Sequence, residues 1–161
     1  AAANEIRRWN AERVVIDALP ETRKARELQA AFPPGVVWLA YYTDGVGRRA
    51  DELHWNEAEG TVTMDRTRTL DTMMSNFLEE STTLPRHASS IPDYYQQMKA
   101  PVRVIEKRPN GERVARYVES SEDHYAHSEN YCEAARNAPK PPPAARARVT
   151  VSRQQMEDKF T

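Results

Sequence analysis

The chain has 161 residues with 23 basic and 24 acidic side chains, so its formal net charge is −1 at pH 7. This balance excludes a global electrostatic field that would draw the whole chain to nucleic acid or to a membrane, so DNA contacts must come from local clusters. The single cysteine, Cys132, excludes an internal disulfide framework and is typical of a reducing compartment. We expect no membrane span, which needs roughly 18 consecutive apolar residues, and no signal peptide.

The first part of the chain has the pattern of a β-α-β unit. After a short amphipathic helix within residues 4–13, the β-branched run 14–16 and the longer run 36–42 are typical of buried parallel strands, with a helix between them. Asp17 directly follows the first strand, and ligands of open α/β sheets collect at the carboxyl ends of strands. The alternative for Asp17 is an ordinary turn or helix-capping aspartate.

The middle of the chain predicts a hairpin and then a helix. Residues 53–56 and 61–64 read as two short strands, and Asp65 is placed to cap the following helix. That helix carries one apolar stripe, typical of a core-facing helix, made of Leu70, Met73, Met74, Phe77 and Leu78.

A second hairpin is predicted around Asn110-Gly111, because residues 102–107 and 112–118 alternate in polarity on either side of this strong turn signal. The hairpin displays five basic side chains, which are Arg103, Lys107, Arg108, Arg113 and Arg116. These residues could clamp the phosphate backbone of DNA. Alternatively, they form an ordinary solvated face with interleaved acids.

The stretch after this hairpin is the centre of the functional hypothesis. Ser120 and Asp123 fit a capping box at the start of a predicted helix, and Glu122 is the adjacent acid. Beside the positive end of the helix dipole, Asp123 would stay ionised and could hold a divalent cation. His127 and Asn130 follow one and two turns later on the same face. The alternative is that both acids only compensate the dipole.

Two acids on separate elements, Asp17 and Asp123, are what two-metal phosphodiester hydrolysis requires. Such carboxylates hold two ions about 3.5–4 Å apart, activate a water molecule and stabilise the departing oxygen. Mg²⁺ or Mn²⁺ suits these oxygen ligands. Zinc is less favoured, because the histidines and the cysteine lack paired ligand spacing.

Taken in order, four stretches resemble the C-terminal nuclease domain of the large terminase subunit of tailed phages: residues 14–21, 37–42, 64–67 and 123–131. The ordered combination, which ends with the Asp-His-Tyr-Ala-His motif that begins at Asp123, is more specific than any one stretch alone. The resemblance implies an α/β, ribonuclease H-like fold, with a mixed sheet, flanking helices and an added β-hairpin. It also implies a cluster of acids that binds Mg²⁺ or Mn²⁺ and cuts concatemeric double-stranded DNA during packaging.

By position, the resemblance makes Asp17 the acid after the middle strand and Asp123 the last acid, at the start of the C-terminal helix. Glu122 would assist through a water molecule, and His127 would lie behind the ligands without touching the ion. The family's first metal-binding aspartate lies upstream of the equivalent of Asn4, and the chain contains no Walker A sequence. We therefore expect a fragment or a divergent form that binds metal weakly and cuts DNA poorly or not at all.

The same resemblance implies double-stranded DNA, an upstream terminase ATPase domain, the portal and the small terminase subunit as partners. It implies no membrane, and a location in the host-cell cytoplasm and transiently at the procapsid. We expect a nuclease-like domain over residues 4–138, and a proline-rich linker with a polar tail over 139–161. Two alternatives stay open: a non-catalytic packaging module that binds DNA or the portal through the basic hairpin and tail, and another ribonuclease H-like enzyme such as a transposase or resolvase.

Overall fold

A computed structural model describes residues 2–43, 52–84 and 86–141. The first elements are α1 (Ala2–Arg8), β1 (Val14–Asp17), α2 (Thr22–Ala30), β2 (Val37–Thr43), β3 (Leu53–Asn56) and β4 (Thr61–Asp65). They are followed by α3 (Arg66–Leu78), a 3-10 turn (Ala88–Ser90), α4 (Tyr94–Lys99), β5 (Pro101–Lys107), β6 (Arg113–Glu119) and α5 (His124–Arg136). The chain divides into two compact units: the first contains residues 1–41, 55–62 and 135–161, and the second contains 42–54 and 63–134.

The fold is mixed α/β, with a mixed four-stranded sheet in the order β1-β2-β4-β3 and a separate antiparallel pair, β5-β6. Strands β1 and β2 are parallel, with Val14 opposite Val37 and Asp17 opposite Ala40. The predicted β-α-β unit is therefore confirmed, with α2 as its connection. No described helix is long and apolar enough to cross a membrane.

The core of the first unit forms around β2, because residues 36–40 are all buried. Ile6 and Phe32 pack with Val36 and Val37, and Leu28 of α2 lies against this cluster. Each such side chain contributes about 1.5–3 kcal/mol of hydrophobic stabilisation when it is fully buried. The apolar side chain of Leu28 in α2 and the β-branched side chains of β1 thus pack against the same core cluster.

The side chain of Gln29 joins α2 to strand β2 and to the turn that precedes β4. Its Nε2 donates to the carbonyl oxygens of Val37, at 3.0 Å, and Gly60, at 2.7 Å. Gly60 has a positive φ of 62°, and a Cβ atom there would lie 2.5 Å from Gln29 Nε2. The left-handed conformation favours glycine at position 60, whereas the end of the Gln29 side chain would have to shift to admit a Cβ atom.

In the second unit, α3 begins as the sequence predicts. The Oδ1 atom of Asp65 accepts a hydrogen bond from the backbone N–H of Arg68 at 3.0 Å, which satisfies one of the unpaired donors at the helix start. Leu70 and Met73 are buried with Tyr117 and Ala126, and Met74 and Phe77 pack against them. Leu78 is 85% exposed, so its assignment to the core stripe was wrong. It is the last residue of the helix, beyond the packed turns.

The predicted second hairpin is also confirmed. Strands β5 and β6 pair from Pro101 opposite Glu119 to Lys107 opposite Arg113. The backbone N–H of Gly111 donates to the carbonyl of Arg108 at 2.9 Å. Gly111 has a positive φ of 85°, which explains the glycine in this turn.

The end of the described chain stays packed in the first unit. Ala138 is 4% exposed, and the guanidinium of Arg13 donates to its carbonyl oxygen at 2.9 Å. Further along, Pro141 lies so close to Gly35 that a Cβ atom on the glycine would be 3.2 Å from the proline Cα. The first residues of the predicted linker are thus in contact with this unit. The predicted tail from residue 142 onward lies outside the described residues.

Candidate metal centre

Three possible metal ligands come together in the second unit, at the corner between β6 and α5. Glu119 is the last residue of β6, Asp123 directly precedes α5, and His127 lies one helical turn further. One ligand atom from each residue lies within 4.8 Å of the other two. Two carboxylate oxygens and one imidazole nitrogen are a ligand set that could hold a divalent metal ion.

The helix start fixes Asp123 and His127 on one face. The backbone N–H of His127 donates to the carbonyl of Asp123 at 3.1 Å, which is the first bond of the helical ladder. The carboxylate Oδ2 of Asp123 lies 3.0 Å from His127 Nε2, across the same turn. Asp123 is buried, with 7% of its surface exposed, so its carboxylate depends on such partners to offset the loss of hydration.

The predicted capping box does not form at this helix. The hydroxyl of Ser120 donates instead to the carbonyl oxygen of Ala100 at 2.8 Å. The backbone N–H of Tyr125 donates to Gln97 Oε1 at 3.2 Å, so a side chain from α4 caps α5. The capping prediction was therefore wrong, because partners that are distant in sequence replace the local ones.

A guanidinium group lies among the three possible ligands. The terminal nitrogen Nη2 of Arg66 is 3.1 Å from Glu119 Oε1, 3.9 Å from Asp123 Oδ2 and 3.4 Å from His127 Nε2. Its positive charge faces the two carboxylates, and its carbon Cζ lies 5.8 Å from the centre of the Tyr42 ring. The Nε atom of Arg66 is buried and has no hydrogen-bond partner within the described residues.

A chain of hydrogen bonds holds the other side of the His127 ring. His127 Nδ1 lies 2.9 Å from the hydroxyl of Tyr42, and Asn130 Nδ2 donates to that same hydroxyl at 2.8 Å. Asn130 also donates to Thr69 Oγ1 at 3.0 Å, and it is only 1% exposed. The ring of Tyr42 stacks on Tyr131, with centroids 5.6 Å apart. The imidazole is therefore oriented by a buried polar network.

This network accommodates both tautomers of His127. Because Asn130 donates to the Tyr42 oxygen, the phenol hydrogen can point to Nδ1, which leaves the hydrogen on Nε2 to bond Asp123. In the other tautomer, Nδ1 donates to the Tyr42 oxygen and Nε2 presents a lone pair. A histidine that binds a metal through Nε2 needs this second arrangement, and its partner at Nδ1 fixes the ring.

Of the three site residues predicted around the start of α5, two belong to the possible ligand set and one does not. Asp123 and His127 meet, and the His127 nitrogen belongs to the possible ligand set, although we expected it behind the ligands. Glu122 is exposed and outside this group, whereas Glu119, which was not predicted, belongs to it. The one available signal for Glu119 was an acid at the last strand position, four residues before Asp123.

Asp17 lies at the end of β1 in the first unit and is exposed. Its Oδ1 accepts a hydrogen bond from the backbone N–H of Leu19 at 2.9 Å, which is the turn role considered as its alternative. The meeting of Asp17 and Asp123 at one pair of ions stays a prediction.

The basic hairpin is largely neutralised by its own neighbours. Three of its five basic residues have a carboxylate partner: Arg103 with Asp71, Arg108 with Glu112, and Arg116 with Glu106. Lys107 and Arg113 lie opposite each other near the turn and have no ion pair among the described residues. Solvent-exposed pairs of this kind are worth about 1 kcal/mol or less, so DNA could compete for the arginines, but at a cost.

Asp71 on α3 connects the hairpin to the core of the second unit. It receives two hydrogen bonds from Arg103, at 2.9 and 3.3 Å, and one from the Tyr117 hydroxyl at 2.9 Å. Burial, together with the bond to Asp71, raises the pKa of Tyr117 to about 12. The hydrogen bond to Asp71 also raises the pKa of Arg103.

Comparison of the chain with protein-family models, curated proteins and solved structures found no match.

Proposed function

We propose that this chain is a divalent-metal-dependent DNA endonuclease domain in which Glu119, Asp123 and His127 bind a catalytic ion. The observation that carries the proposal is the meeting of their three ligand atoms within 4.8 Å at the strand-to-helix corner. Two of the three donors are carboxylate oxygens, which suit Mg²⁺ and Mn²⁺, and the imidazole nitrogen favours Mn²⁺ of the two.

Bound there, the ion would supply the Lewis acid that polarises a phosphodiester and activates water for its hydrolysis. The residues of the chain would orient this chemistry. The strand end fixes the backbone of Glu119, the first helical turn fixes Asp123, and Tyr42 holds the His127 ring through Nδ1.

The resemblance to the terminase nuclease supplies the finer part of the proposal. On that basis the domain is ribonuclease H-like, its substrate is concatemeric double-stranded phage DNA, and an ATPase domain of the same motor is its partner. The parallel pair β1-β2, with an acid at its carboxyl end, supports this proposal.

Nicking of supercoiled plasmid DNA in the presence of Mn²⁺ tests the activity. We expect Asp123→Asn and Glu119→Gln to reduce nicking on the order of 100-fold, because even residues that only support a metal ligand typically contribute 10- to 100-fold. Glu122→Gln is the matched control, since it removes an exposed acid beside the group and should leave nicking unchanged. Nicking that persists in both ligand variants would remove the proposed centre.

A second candidate function is a non-catalytic module that binds DNA or the portal through the hairpin. The observation in its favour is the pair Lys107 and Arg113, which have no ion pair among the described residues. Charge reversal at Arg113, alone and with Arg108→Glu, is expected to abolish binding if this candidate is right, while the acid variants stay silent. The three ion pairs on the same hairpin make it the weaker candidate.

A further inference from the structure

We infer that Arg66 is a phosphate-binding residue of this centre, and that it occupies the position of the metal ion until metal and substrate arrive. This inference rests on the proposed function and assigns a role to a residue outside the ligand set. If a metal ion bound the two carboxylates, Arg66 would lose its ion pairs with them. Its guanidinium would then be free to bind the phosphodiester.

The first step is mutual exclusion between Arg66 and a metal ion. Arg66 Nη2 lies 3.1, 3.9 and 3.4 Å from the ligand atoms of Glu119, Asp123 and His127, so it stands among all three. Bonds from such ligands to a divalent ion are about 2.0–2.2 Å long, and the ion would occupy this same space. Two positive charges at one position also repel each other, so the guanidinium has to leave when the ion binds.

The second step is that the present position of Arg66 leaves it incompletely bonded. Its Nε atom is buried without a hydrogen-bond partner among the described residues, and an unsatisfied buried donor is unfavourable because it has lost its hydration. Its contact with Glu119 is to a side chain that is 61% exposed, so that pair is weak. The contacts of Arg66 therefore offset the buried negative charge of Asp123. They are also weak enough for the side chain to move away when a metal ion binds.

The third step is the need of the displaced guanidinium for an anion. If the carboxylates held an ion, Arg66 would keep its positive charge but would lose both acidic partners. The anion that comes with the reaction is the phosphodiester, whose oxygens match the planar fork of an arginine. Arg66 also opens α3 directly after its cap, where the backbone is fixed and only the side chain has to turn.

Mn²⁺ binding, measured by titration calorimetry on the full chain without DNA, tests the exclusion. We expect Arg66→Met to bind Mn²⁺ roughly 10- to 100-fold more tightly than the wild type, the range that corresponds to one charge-assisted hydrogen bond. Arg68→Met is the matched control, because it removes the same charge two residues further along α3, outside the group, and should leave the affinity unchanged. Arg66→Gln also removes the charge but keeps a polar side chain, so it should tighten Mn²⁺ binding in the same direction even if Arg66→Met folds poorly. Arg66→Lys keeps a cation at the position and should stay close to the wild type.

The phosphate role is tested by repeating the titration with a short DNA duplex that carries phosphorothioate linkages. The duplex should strengthen Mn²⁺ binding in the wild type, because it gives Arg66 a new partner, and strengthen it less in Arg66→Met. An equal effect in both proteins would overturn the phosphate role. If the wild type and Arg66→Met bind Mn²⁺ with equal affinity, the exclusion is wrong, whereas the proposed metal centre is not contradicted. Absence of Mn²⁺ binding in every variant would overturn the proposed centre itself.

Discussion

Replacement of Tyr42 by phenylalanine tests whether the hydroxyl behind His127 supports the metal centre. The change keeps the ring and its stacking on Tyr131 but removes the oxygen that joins His127 Nδ1, at 2.9 Å, to Asn130 Nδ2, at 2.8 Å. Two polar groups then lose one partner each. We expect both the stability of the fold and the affinity for Mn²⁺ to fall.

The structure sets the size of both effects. Asn130 is 1% exposed and keeps only its bond to Thr69, so its lost partner should lower the free energy of unfolding by about 1–3 kcal/mol. The side chain of His127 is 16% exposed, so water can partly replace the lost bond at Nδ1 and the added cost is smaller. Loss of the residue that orients a metal-binding histidine typically weakens metal binding about 10- to 100-fold.

Urea unfolding followed by circular dichroism measures the first effect, and Mn²⁺ titration calorimetry measures the second. Tyr117→Phe is the matched control, because it also removes a tyrosine hydroxyl with a 2.9 Å hydrogen bond, here to Asp71, outside the metal group. It should be destabilised by about 0.5–1.5 kcal/mol and should bind Mn²⁺ normally. The reasoning is refuted if Tyr42→Phe binds Mn²⁺ as tightly as the control does.

Three further predictions concern the stability of the second unit. Leu70→Ala should lower the free energy of unfolding by about 2–5 kcal/mol, because Leu70 is fully buried. Leu78→Ala, at a site that is 85% exposed, should change it by less than about 0.5 kcal/mol. Equal urea midpoints for the two variants would contradict this core. Asp65→Ala removes the cap of α3 and should cost about 1 kcal/mol in the same assay, and an unchanged midpoint would show that the cap is dispensable. The pKa of Tyr117 is raised from 10.0 to about 12. The protonated hydroxyl therefore adds to the free energy of unfolding below pH 10, and this contribution is lost as the pH rises from there through 12. Because the pKa of Tyr94 is also raised to about 12, ultraviolet titration of the phenolates should lose one of two late-ionising tyrosines in Tyr117→Phe, and a late phase of unchanged amplitude would contradict the raised pKa of Tyr117.

The elements that the sequence predicted correctly are those whose signals are local. The apolar runs of β1 and β2 and the Asn110-Gly111 turn each specify their structure within a few residues. The cap by Asp65 also needs only its own helix. The capping box at Ser120 failed because Ala100, which is 20 residues away, accepts the hydrogen bond of that hydroxyl.

The same division applies to the candidate centre. Asp123 and His127 could be predicted to share a face, because helical spacing alone brings them together. Arg66 and Glu119 are 53 residues apart, and their contact depends on how α3 packs beside β6. No periodicity in the sequence reports such packing, so neither the guanidinium in the centre nor the third ligand could be predicted from the sequence.

The two hydrogen bonds to the Gly60 carbonyl restrict which sequence changes the turn before β4 can tolerate. The carbonyl of Gly60 accepts from both the backbone N–H of Leu39, at 3.0 Å, and the amide of Gln29, at 2.7 Å, so one rung of the sheet is fixed twice. An insertion or deletion in the turn at residues 57–60 would shift β4 by one position. Since successive strand residues face opposite sides, the shift would turn the fully buried Val62 and Met64 to the wrong face. We therefore expect substitutions at residues 57–59 to be tolerated better than changes in the length of the turn.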